Sequence, residues 1–210
     1  YTPDRMPSGL AVRAGVVRGM RNLIATLARV RDYGDLARFL VARMLYADGL
    51  ATVFAFGGIY AAGTFAMTLE QVMVFGIVLN VTAGAGAFAF AWIDDWLGSK
   101  RTILIALVGL IASALGAVVV TDPFWFWFWG ALLGVFVGPT QAASRTLMAR
   151  LAPAELRTEF FGLYALTGKA TAFAGPFLVA TVTAAFESQR LGLSTVLAFF
   201  LVGFALMFTV

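Results

Sequence analysis

Residues Ala91 to Arg101 read AWIDDWLGSKR, and long apolar runs flank them on both sides. Two carboxylates, a glycine and two cations fall within the eight residues from Asp94 to Arg101. Such a cluster between two greasy segments is a tight polar turn between two helices. Gly98 supplies the left-handed backbone that a sharp turn needs. Lys100 and Arg101 sit where a chain leaves the positive-inside face of a membrane. Asp95 is placed to meet a helix N-terminus or a nearby arginine. By itself the turn is equally compatible with an ordinary solvated loop between two spans.

Composition decides the class. Of 210 residues, 61% are hydrophobic and only 12% charged, whereas soluble domains are roughly half apolar and a quarter charged. The mean hydropathy is +0.90. Apolar runs of about 20 residues recur, which a soluble core cannot absorb but a bilayer can. The net charge of +4 reflects cations gathered in loops on one side rather than a nucleic-acid surface. Cysteine and histidine are both absent. That removes disulfides, thiol and serine–histidine chemistry and the usual zinc sites, so neither an enzyme nor a cofactor is expected. Gly84 to Ala89, GAGAFA, imitates a dinucleotide-binding pattern, but no strand precedes it and it lies within an apolar helix. The chain begins at Tyr1 and stops at Val210 inside an apolar run, so it is expected to be a piece of a longer polypeptide.

Outward from the turn, the pattern predicts an all-α membrane protein with six transmembrane helices. They cover about Arg38–Thr64, Leu69–Trp92, Thr102–Val120, Phe124–Met148, Glu159–Ala185 and Leu191–Val210. Residues 1–37 form a cytoplasmic linker. Within it, Val16, Met20, Leu23, Ile24 and Leu27 share one face of a predicted amphipathic helix, opposite Arg18, Arg21 and Arg29. Residues 38–210 form the bundle. Asp122-Pro123 starts the fourth helix, and Trp125, Trp127 and Trp129 mark an interfacial belt. Gly130, Gly134 and Gly138 recur every four residues, so another helix can approach closely. Pro139 is expected to kink that helix. With the N-terminus in the cytoplasm, twelve of the fifteen cations lie inside and only Arg190 outside, with Arg145 and Lys169 within spans. This places residues 1–37, the turn at Asp94 to Arg101 and the C-terminus in the cytoplasm.

Polar residues are unevenly spread. Spans one, two, four and five carry Arg43, Asp48, Asn80, Gln141, Arg145 and Lys169, while spans three and six hold only serine and threonine. A charge within the bilayer costs several kcal/mol unless it meets protein or water. Four spans are therefore expected to line a cavity and two to face lipid. The candidate substrate or ion-coupling residues are Asp48, Asn80, Gln141, Arg145, Tyr164 and Lys169. Each also has a structural reading. Lys169 and Asp48 can form an ion pair, Asn80 can bond between helices, Arg145 can anchor a gate, and Tyr164 can simply pack. Arg43 and Asp48 are five residues apart and do not share a face.

The spacing Ala91-x3-Asp95-x2-Gly98-x-Lys100-Arg101 resembles the loop signature of the major facilitator superfamily, with alanine in place of its first glycine. Three further stretches are similar to its UMF1-type, or Atg22-like, branch. They are ARMLYADGLATVFAFGGIYA (Ala42 to Ala61), GPTQAASRTLMARLAPAELRTEFFGLYAL (Gly138 to Leu166) and GKATAFAGPF (Gly168 to Phe177). The resemblance implies the C-terminal half of a twelve-helix transporter, built as two inverted three-helix repeats. It implies an N-terminal six-helix half as partner, beside the lipid bilayer and a small-molecule solute, and no nucleic acid. It assigns Asp95, Gly98, Lys100 and Arg101 to the conformational loop. The function it implies is secondary transport of a small polar solute by alternating access, amino acid export being associated with fungal members. The expected location is a bacterial inner membrane. The rival reading is a non-transporting membrane scaffold or receptor, in which buried charges only pair with one another. Reporter fusions after Arg101 and after Glu187 should report opposite sides of the membrane; the same side for both refutes the six-span topology.

Overall fold

Helix ends in an apolar chain must satisfy their free N–H groups locally, and the caps here do so on one side of the molecule. The computed structural model describes residues 33–210. The amphipathic helix expected between Val16 and Val30 lies outside the described residues. The helices are α1 (Gly34–Phe65), α2 (Leu69–Leu97), α3 (Ser99–Val119), α4 (Pro123–Leu151), α5 (Arg157–Ala170), α6 (Ala174–Phe186) and α7 (Gln189–Phe208), with one 3-10 turn at Ala154–Leu156. Thr68 and Gln71 form a reciprocal capping box at the start of α2. Asp122 accepts the Phe124 N–H at 2.8 Å, with Pro123 at the first helical position of α4. Ser188 accepts from Leu191 at the start of α7. These three caps account for why the chain reverses where it does.

The opposite side is held by cations on helix C-termini, where free carbonyls and the helix dipole favour them. Lys100 Nζ donates to the Phe208 carbonyl at 3.3 Å, and Arg38 Nη1 donates to the Thr209 carbonyl at 3.0 Å. Gly98 takes φ +81° and ψ 154°, a conformation that essentially only glycine adopts, and lets α2 pass directly into α3. Asp95, expected to meet a helix N-terminus or an arginine, makes neither contact among the described residues: it forms no hydrogen bond to Ala154–Leu156 and no ion pair with Arg150. The last turn of α2 runs along α4, so Asp94 and Asp95 instead border a cleft of 180 Å³ with Pro139, Ala142, Ala143 and Thr146. Geometry, rather than the charges of the turn, sets its neighbours.

Among the described residues, five segments are long and apolar enough to cross a membrane: α1, α2, α3, residues 154–186 taken together, and α7. The expected sixth, α4, has 29 residues, but its tryptophans, Pro139, Gln141 and Arg145 dilute its apolar character. It packs between α2 and α3. The first helix of each half packs on the last helix of the other: α1 on α7, and α4 on α3. Coverage is uneven. Of the most apolar stretch, 44% is buried in α1 and in α3, against 17% in α2 and 11% in the fifth span. The expected division into lining and peripheral helices therefore takes a particular form within this chain. The polar spans two and five are the bare ones, and α3 is wedged between α4 and α7.

Two local expectations change. Pro139 does not interrupt α4, which is helical throughout. Proline at this position frees the carbonyl of Val135, four residues back. That oxygen faces Gly86 of α2, where any side chain would collide with it. Reciprocally, Gly138 of α4 lies against the Ala83 carbonyl. Glycine on both helices thus brings two backbones together, as small residues do in membranes. The real break comes in the fifth span, where Thr171–Phe173 separate α5 from α6 just before Gly175-Pro176. At the other end of α4, Phe126 is buried in an aromatic cluster, 4.5 Å from Phe65, 5.0 Å from Phe75 and 5.7 Å from Tyr60 between ring centres. Gly138→Val should destabilise the bundle by about 1–3 kcal/mol, because a backbone carbonyl cannot move aside as a side chain can. Thermal unfolding of the detergent-solubilised protein measures this, and an unchanged midpoint would refute the close α2–α4 approach.

Candidate functional site

Arg43, Tyr46, Ala47, Leu50, Ala51 and Phe54 follow one another at helical spacing and make a single stripe along α1. Gln141, Ser144 and Arg145 make the facing stripe on α4, and Tyr164 closes the space from α5. Together they line a cavity of about 340 Å³, within the range of small-ligand sites. It lies nearer the Gly34 end of α1 than its Phe65 end.

Arg43 is held from three directions. Its Nη1 donates to the Tyr164 carbonyl at 2.7 Å and to Thr167 Oγ1 at 3.2 Å. Its guanidinium lies 3.6 Å from the centre of the Tyr164 ring, a cation–π contact worth about 0.5–2 kcal/mol. Gly168, one turn on, leaves room for the guanidinium. Arg145 is exposed and donates from Nε to the Gln141 carbonyl of its own helix at 3.3 Å. Tyr46 is buried, and its hydroxyl lies 2.7 Å from Ser144 Oγ, which donates in turn to the Thr140 carbonyl at 2.5 Å. That chain ties α1 to α4 beneath the two arginines. Among the described residues, no aspartate or glutamate lines the cavity.

The structure brings together three of the six candidates, Gln141, Arg145 and Tyr164. Asp48 points away from them, as the five-residue offset from Arg43 requires. It is 3% exposed, and its Oδ2 accepts the Gly175 N–H at 3.0 Å, at the start of α6. A carboxylate there meets the positive end of a half-helix. Its Oδ1 is buried without a hydrogen-bond partner among the described residues. Lys169 is exposed in the last turn of α5, outside the cavity, and no ion pair joins it to Asp48. Asn80 is exposed on α2 and donates to the Gly76 carbonyl of its own helix at 2.8 Å. The loop residues Asp95, Gly98, Lys100 and Arg101 lie at the junction of α2 and α3, remote in sequence and separate from this lining.

Sequence reasoning set Arg43 aside and passed over Tyr46 and Ser144. The signal was present as spacing. Arg43 and Tyr46 are three apart, and Ser144 stands between Gln141 and Arg145 on the same face.

The profile of the family described as "Vacuole effluxer Atg22 like" matches residues 3–210 of the chain. The chain belongs to this Atg22-like family. Among curated relatives, Autophagy-related protein 22 of Coccidioides immitis is 27% identical over 173 residues, 75% of this chain and 29% of the relative. The uncharacterized MFS-type transporter YxiO of Bacillus subtilis is 23% identical over 192 residues, 91% of this chain and 45% of the relative. Autophagy-related protein 22 of Candida glabrata is 27% identical over 170 residues, 76% and 30% respectively. The Atg22-like segment thus spans less than half the length of each of these relatives. Its several helices long and apolar enough to cross a membrane suit a multi-pass membrane protein, as expected of a family whose relatives are named as a vacuole effluxer type and an MFS-type transporter. The Tyr46–Ser144 hydrogen bond should show a coupling of about 1 kcal/mol in a double-mutant cycle of Tyr46→Phe and Ser144→Ala, read from unfolding midpoints. Strict additivity would mean that the two hydroxyls do not bond.

Proposed function

We propose that this segment is the C-terminal half of a secondary active transporter. It moves a small polar solute by alternating access, and the solute site is the cavity between α1, α4 and α5. The observation that carries the reading is the convergence of Arg43, Gln141, Arg145 and the polar edges of Tyr46 and Tyr164 on one space along apolar helices. Charged groups are expensive at such positions unless they meet water or a ligand. Asp48 is assigned to ion coupling, because it is buried at the broken fifth span, and half-helix ends are where transporters hold coupling ions. Asn80 and Lys169 stand on surfaces that an N-terminal half would cover.

That missing half is the proposed partner of the bare faces of α2 and the fifth span, which expose Ile77, Val81, Phe88, Phe173 and Phe177. Residues 1–37 serve as the cytoplasmic linker to it, and residues 38–210 as the transmembrane bundle. The assignment of both ends and the Asp94 to Arg101 turn to the cytoplasm of a bacterial inner membrane rests on the distribution of cations. In the full-length protein, Gln141→Cys should react with a small water-soluble thiol reagent, and its reactivity should change with the inward or outward bias of the transporter. A thiol that stays inert in every condition would refute the water-filled cavity and favour a sealed scaffold.

A further inference from the structure

We infer that the solute taken by this cavity is a small anion, a carboxylate or phosphate-bearing solute with net negative charge, and not a zwitterionic amino acid. The inference rests on the reading of the cavity as a solute site and narrows it to a substrate class.

Charge balance is the first argument. The cavity lining contributes two guanidinium groups, Arg43 and Arg145, and no carboxylate. Asp48, the buried acid of α1, faces away and is engaged by the Gly175 N–H. Two like charges facing one small space repel, and the repulsion grows as water is excluded. An anion between them removes it. A zwitterion supplies one negative group and brings an ammonium into the same positive field.

Donor geometry is the second argument. A guanidinium offers five N–H donors in a planar fork that matches an oxyanion. Arg43 commits Nη1 to the Tyr164 carbonyl and Thr167, which fixes the group in place. Arg145 commits only Nε. The remaining nitrogens of both have no hydrogen-bond partner among the described residues. The neutral groups do not restore a cation site. The Tyr46 and Ser144 hydroxyls are engaged with each other and with the Thr140 carbonyl, which leaves the Gln141 amide and the Tyr164 hydroxyl. The lining thus offers donors in excess and no charged acceptor.

The test uses the full-length protein with Ala51→Cys, a small substitution on the cavity stripe. This segment has no native cysteine to compete, and any in the other half is replaced by serine. Labelling by N-ethylmaleimide is timed at constant ionic strength with succinate, inorganic phosphate, leucine or choline. Succinate, phosphate or both should slow labelling, and leucine and choline should not. Protection by succinate alone identifies a carboxylate solute, and protection by phosphate alone a phosphate solute. Arg145→Gln should raise the half-protecting anion concentration about tenfold or more, the cost of a lost charge-assisted hydrogen bond, and Arg145→Lys should restore part of it. Leucine protecting as well as the anions overturns the proposal. So does anion protection that survives Arg145→Gln, or labelling that no anion slows, since the arginines are then balanced by a protein carboxylate. In each of those cases the thiol still labels, so the water-filled cavity stands. A thiol that never labels overturns the cavity reading and the anion site together.

Discussion

One helix holds the broken fifth span by two opposite charges. Arg43 of α1 holds the second half of α5 by donating to the Tyr164 carbonyl and the Thr167 hydroxyl. Five residues on, Asp48 accepts one N–H, that of Gly175, at the start of α6. A helix interrupted in apolar surroundings exposes carbonyls on one side of the break and N–H groups on the other, and each must be satisfied within the protein. The offset of five residues turns the two side chains to different faces of α1, so both ends can be served without the two charges cancelling each other. Gly168 and Gly175 give the room for it, the first against the guanidinium and the second against Thr52 and Asp48.

The cavity follows from this constraint. Because Arg43 is drawn toward α5, it stands at the wall of the space between α1, α4 and α5 instead of pairing with Asp48 inside α1. Because Tyr46 and Ser144 bond each other, the same helices are pinned one turn deeper. The result is a polar space with net positive lining, bounded by helices whose other faces are apolar. On the far side of α4, Gly134 and Gly138 admit α2 to backbone contact. The bundle is therefore tight where small residues meet and open where the two arginines line the cavity.

Much of this was legible along the chain. The turn around Gly98, the helix start at Asp122-Pro123 and the glycine repeat of α4 all act through local stereochemistry or fixed spacing. The structure realises each of them. The expected polar lining was right in kind for Gln141, Arg145 and Tyr164, because residues three and four apart share a face. It was not complete. Arg43 was set aside and Tyr46 was not singled out, since their partners on α4 and α5 are about 100 residues away in sequence. Pro139 was expected to bend its helix, yet the α2 backbone at Gly86 faces the carbonyl that it frees. The break fell instead at Thr171–Phe173, beside which Asp48 of α1 accepts the Gly175 N–H.

Composition and periodicity alone determined that this is a helical membrane protein and where most of its helices begin and turn. These are properties of single segments in a solvent, and each segment responds to water or lipid independently of the others. Which buried charges meet, and which stand apart, only the tertiary structure decided. Asp48 and Lys169 are both ionisable and both lie within apolar helices, and nothing local distinguishes a pair from two separate sites. The packing of α1 against α5 and α6 assigns Asp48 to a helix terminus, leaves Lys169 exposed, and sets Arg43 and Arg145 along the same cavity. A charge in a helix costs the same wherever its partner lies in sequence, so its partner is chosen by how the helices pack.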